Sequence, residues 1–86
     1  MASFRLEWRA SAAKELRKID RQIIPRIVEA VEQLAHEPFP PGAKKLQGTE
    51  FIHRIRVGDY RIVYEVDAAR VVIIIVRVRH RKEVYR

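Results

Sequence analysis

Six β-branched apolar residues in a row, Val71 to Val76, stand near the end of an 86-residue chain. A run so stiff and so averse to water belongs in a central strand covered by a helix on at least one face. It continues without a break into RVRHRKEVYR, where Arg77, Arg79, Arg81, Lys82 and Arg86 surround His80 and Tyr85. The strand that anchors the core thus leads straight into the most cationic segment of the chain. A chain of this length buries only roughly 60–65% of its unfolded surface, so residues 1–86 are expected to form one domain around one core.

The remaining elements follow from periodicity. Phe4, Leu6 and Trp8 alternate with Arg5, Glu7 and Arg9, the pattern of a half-buried strand. SAAKELRKID predicts a short helix with Ser11 as its N-cap. Ile23, Ile27, Val31 and Leu34, widened by Ile24, Val28 and Ala35, form the apolar stripe of a second helix. Pro25 is tolerated only in a first turn, so that helix starts later than Asp20 or bends there. HEPFPPG is a rigid turn, and AKKLQGTE reads as a loop. FIHRIRV and YRIVYEV are joined by Gly58-Asp59, a tight hairpin signal, and DAAR turns the chain into the last strand. The expected class is α+β, in the order β-α-α-β-β-β, with an antiparallel C-terminal meander and two helices packed on one face.

Eighteen Lys and Arg against eleven Asp and Glu give a net charge of +7. That balance favours a polyanionic partner, and the excess of arginine over lysine favours forked contacts to phosphate. Residues two apart on a strand share a face, so Arg54 and Arg56 point away from His53, Ile55 and Val57. By the same rule Arg77, Arg79 and Arg81 continue the face of Val71, Ile73 and Ile75. With Arg61 at the start of the middle strand, these side chains are expected to converge on one concave, phosphate-binding patch. The meander strands carry Glu65 as their single acid, which ordinary protection of a sheet edge would not require.

Other classes are excluded or disfavoured. The chain has no cysteine, which removes disulfides, thiolate metal sites and cysteine nucleophiles and fits a reducing cytoplasm. The longest apolar run is far short of the ~20 residues that span a bilayer, and no signal peptide is expected. No His, Asp or Glu spacing suggests a metal site, and no cofactor is expected.

KLQG, then HRIRVGDYRIVYEV, then an apolar strand ending in HRKEVYR together resemble the RelE toxins of the RelE/ParE superfamily, over the whole chain. That resemblance implies the toxin of a type II toxin–antitoxin system. Such an enzyme is an mRNA interferase that enters the 30S A site of the ribosome and cuts mRNA without a metal. The ribose 2′-OH attacks the adjacent phosphate, leaving a 2′,3′-cyclic phosphate and a 5′-OH. It also implies a cognate RelB-like antitoxin that covers the basic surface, the complex binding operator DNA through the antitoxin.

Carried over by position, the catalytic set is Arg54, Arg56, Arg61, Arg81 and Tyr85. The chain departs from some relatives in having arginine rather than lysine at 54 and 56. Guanidinium groups stay protonated, so the arginines suit stabilisation of the phosphorane rather than proton removal. Tyr85 amid cations and the imidazole of His80 are the candidate bases. Lys44, Lys45, Arg77, Arg79 and Lys82 are expected to contact RNA or ribosomal phosphate, while His36 and His53 read as structural. The competing functions are a ParE-like inhibitor of DNA gyrase and a catalytically impaired relative that only binds antitoxin.

Overall fold

The computed structural model describes residues 3–46, 48 and 51–84, with residues 83 and 84 described by their backbone alone. The chain runs β1 (Arg5–Trp8), α1 (Ala10–Arg17), α2 (Ile24–Leu34), β2 (Lys44–Lys45), β3 (Ile52–Val57), β4 (Tyr60–Asp67), β5 (Val72–His80) and α3 (Arg81–Val84). The strands form one sheet in the order β1-β5-β4-β3-β2. Strands β2 to β5 pair antiparallel, and β1 joins β5 in parallel. This is the expected α+β order of a strand, a helix pair and an antiparallel meander, with one strand added at the edge. Lys44 and Lys45, expected in a loop, form the short edge strand β2 against His53 and Arg54.

The helices begin where the backbone requires it. The Arg9 N–H still donates to the Ile75 carbonyl at 3.0 Å, as the last rung of β1, and the helix starts at the next residue. Arg9 is therefore the N-cap of α1, and Ser11 lies inside its first turn, because the departure from the sheet sets the boundary. Asp20 Oδ1 accepts the Gln22 N–H at 3.0 Å and holds a turn before α2, so the helix opens at Ile24 with Pro25 in its first turn. Ile27, Val31 and Leu34 of α2 are fully buried against Ile62, Tyr64, Ile73 and Ile75.

One irregularity governs the sheet. Tyr64 pairs with Ile75, but Val63 pairs with Arg77, so Val76 is an extra residue in β5. A bulge reverses the face of every side chain beyond it. Ile73 and Ile75 lie in the core, and after the bulge Val78 does so instead, 3% exposed. Arg77 and Arg79 pair with Val63 and Arg61 on the face away from α1 and α2. The unbroken alternation expected for β5 would have sent them toward the helices; the bulge corrects it.

Two local features carry measurable energy. Val71 has φ 57°, a left-handed conformation that a β-branched residue adopts only under strain, and its carbonyl accepts the Arg5 N–H at 2.9 Å. Tyr64 is wholly buried and its hydroxyl donates to the Pro38 carbonyl at 2.7 Å, tying the proline turn to the sheet. Burial pushes the Tyr64 hydroxyl up from 10.0 to about 12. The folded state therefore holds this proton more tightly than the unfolded chain. Its contribution to stability is complete below pH 10.0 and is lost as pH rises through about 12.

Val71→Asn keeps the backbone contact and relieves the strain, so it should stabilise the fold by about 1 kcal/mol. Thermal unfolding should then show a midpoint about 4–8 °C higher. Tyr64→Phe should cost about 1 kcal/mol at neutral pH through the lost hydrogen bond. Urea unfolding followed from neutral to alkaline pH should also show a smaller alkaline loss in this variant than in the parent.

Candidate nucleic-acid interface

The face away from α1 and α2 carries the cations in register. Arg56 on β3 lies opposite Arg61 on β4, which lies opposite Arg79 on β5. One rung along, Lys44 on β2 is paired with Arg54, Arg54 with Val63, and Val63 with Arg77. Neighbouring strands are about 4.8 Å apart, so these side chains leave the sheet side by side. Directly opposed like charges are destabilising, and a face built only for solubility would intersperse acids. Further along the face the pattern changes. Arg9 pairs with Glu65 at 3.5 Å across β5, closing the cationic area on that side.

The hairpin turn brings Arg81 to the same place. Gly58, with φ 59°, takes the first position of the two-residue turn, where a side chain would be strained. The Asp59 carbonyl then accepts the Arg81 N–H at 2.7 Å, and Asp59 Oδ1 lies 3.9 Å from Arg81 Nε. Arg56, Arg61, Arg81 and Lys82 line a cleft of about 420 Å³. Among the described residues, no carboxylate pairs with Arg54, Arg56 or Lys82.

The other expected site residues are distributed differently. Lys45 pairs with His53, on the side opposite to Lys44. His80 lies opposite Tyr60, which packs on the core, and their rings meet edge to face at 5.2 Å. His80 Nδ1 accepts the Lys82 N–H at 3.2 Å, so in the neutral ring the proton is on Nε2. The register thus separates His80 from Arg61 and Arg79. Tyr85 lies outside the described residues. His53 is enclosed between Phe39 and Tyr64, with centroids at 4.8 and 5.8 Å, and His36 meets Ser3 Oγ at 3.2 Å. Among the described residues, no three His, Asp or Glu gather as metal ligands would. None of the described helices is long and apolar enough to cross a membrane.

One residue of this surface is invisible to sequence reasoning. Glu15, on α1, reaches the edge of β5 where β1 has ended. Its Oε1 accepts the Val78 N–H at 3.0 Å, and its Oε2 accepts Arg79 Nε at 3.1 Å and lies 3.5 Å from Arg77 Nη1. These partners are more than sixty positions away in the chain, and the acid sits in an ordinary helical pattern, so no local signal marks it.

Known proteins share this fold. The family described as the ParE toxin of the type II toxin–antitoxin system parDE matches residues 6–85. Toxin RelG of Mycobacterium tuberculosis is 31% identical over 87 residues, covering 96% of this chain and 97% of RelG. The chain belongs to the RelE/ParE toxin superfamily. Within it the resemblance is to RelE-type toxins. The archaeal RelE–RelB complex from Pyrococcus horikoshii OT3 contains a chain with TM-score 0.82 and 30% identity, over 92% of this chain and 96% of that one. The isolated RelE toxin of Escherichia coli matches with TM-score 0.81 and 26% identity, over 96% of this chain and 92% of that one. This RelE-type chain presents the superfamily's sheet with arginine dominating its exposed face.

Arg56→Thr removes one of two directly opposed cations and supplies a residue suited to strands. It should stabilise the fold by about 0.5 kcal/mol while weakening the binding of a polyanion such as heparin. Urea unfolding beside a heparin titration would show the two effects moving in opposite directions.

Proposed function

We propose that this RelE-type toxin is an mRNA interferase acting in the ribosomal A site. The observation that carries the reading is the cleft formed by Arg56, Arg61, Arg81 and Lys82, with Arg54 on the neighbouring rung. Permanently charged forks around one cavity fit a phosphodiester whose charge increases during reaction. The strands hold Arg54, Arg56 and Arg61, and the Asp59 carbonyl holds the Arg81 backbone, before substrate arrives, so little reorganisation accompanies the chemistry.

In the proposed reaction the 2′-oxygen bonds to the adjacent phosphorus as its proton passes to a base. The bond from phosphorus to the 5′-oxygen breaks, and that oxygen takes a proton. The products are a 2′,3′-cyclic phosphate and a 5′-OH, with no water consumed. Arg54, Arg56, Arg61 and Arg81 stabilise the phosphorane. Tyr85 is assigned the proton of the 2′-OH. His80, through its Nδ1, is assigned to holding the Lys82 backbone at the start of α3.

The RelE of Pyrococcus horikoshii is found in complex with RelB. By analogy this toxin pairs with a RelB-like antitoxin that neutralises the same basic face and carries the complex to operator DNA. Action on ribosomes places it in the cytoplasm.

Purified toxin added to ribosomes programmed with mRNA should produce breaks within the A-site codon, read by primer extension, with cyclic phosphate ends. Arg81→Ala should slow single-turnover cleavage by about 10²–10³-fold. Tyr85→Phe should also slow it, because no phenolate oxygen remains to take the 2′-OH proton. Intact mRNA together with gyrase-linked DNA breaks in growth-arrested cells would replace this reading with the ParE-like one.

A further inference from the structure

The cations of the basic face are not equivalent. Arg54, Arg56 and Lys82 have no acid partner among the described residues, whereas Arg77 and Arg79 share the carboxylate of Glu15. Glu15 is itself three-quarters withdrawn from water, its side chain 23% exposed, and is fixed by the Val78 N–H. That N–H belongs to the part of β5 that has lost its β1 neighbour and would otherwise be an unpaired edge donor. The carboxylate therefore does two jobs at once: it closes the edge and holds both arginines of β5.

We propose that Glu15 divides the basic face, withholding Arg77 and Arg79 from phosphate and confining the nucleic-acid track to the β3–β4 side. Arg77 and Arg79, expected from sequence to bind RNA, are thereby assigned to the scaffold. The consequence is specificity. A face with two fewer available cations binds generic polyanions more weakly, leaving tight engagement to a site that adds contacts of its own. This inference rests on the reading that the face binds RNA, and concerns which part of it does so.

Glu15→Gln tests it without opening the edge, because the amide oxygen can still accept the Val78 N–H while the charge is gone. The probe is a short 2′-O-methyl oligoribonucleotide, which lacks the attacking hydroxyl and so cannot be cut. The logarithm of its affinity falls with the logarithm of salt by about 0.7 for each phosphate contacted in a single strand. Glu15→Gln should steepen that slope by about 0.7–1.4 and tighten binding at low salt several-fold. The triple variant E15Q/R77Q/R79Q should lose the gain. An unchanged slope in Glu15→Gln overturns the proposal, as does a gain that survives in the triple variant. A second readout uses the unaltered protein, so it does not depend on variant folding. In an NMR titration the Arg79 Nε–H should stay in place while those of Arg54 and Arg56 shift; an equal shift at Arg79 overturns the proposal. Absence of any salt-dependent binding by the parent protein would instead remove the RNA-face reading itself.

Discussion

The extra residue at Val76 is the constraint on which the molecule turns. Before it, β5 lies between β1 and β4 and sends Ile73 and Ile75 into the core. After it, the same strand sends Val78 inward and Arg77 and Arg79 outward. Without the bulge, the apolar half and the cationic half of β5 could not both be satisfied. One register would place two guanidinium groups beneath the helices, where burying both charges is costly. With it, a single strand serves as core and as part of the charged face.

A second constraint follows from the shortness of β1. Because β1 gives way to α1 at Ala10, the upper part of β5 has no strand on that side. Glu15 substitutes a carboxylate for the missing strand and, in doing so, gathers Arg77 and Arg79. The electrostatics of the face are thus tied to its topology. The β3–β4 side, anchored at the hairpin turn by Asp59 and Arg81, is left as the concentrated positive field.

Much of this was legible before folding. Alternation assigned Arg54 and Arg56 to one face and Ile55 and Val57 to the other, and the burial of Ile55 and Val57 agrees. The helical stripe at Ile27, Val31 and Leu34 is the observed core face of α2, and Pro25 correctly delayed the start of that helix. The hairpin at Gly58-Asp59 set the partnership of Arg56 with Arg61, since a tight turn fixes register within a few residues. Each of these is a local signal, and local signals survive in a linear string.

Local patterning by itself determined the types of the main strands and helices, the helix-bearing α+β class and the arginine-rich character of the meander. Tertiary structure alone decided the parallel docking of β1 on β5, the edge strand at Lys44–Lys45, the bulge at Val76 and the capture of two arginines by Glu15. The physical reason is the same in each case. Period-two and period-3.6 patterns record which side of an element is apolar, but they do not record which distant backbone groups lack a hydrogen-bond partner. Those groups are defined only once the sheet has closed, and meeting their needs set the final positions of the charges.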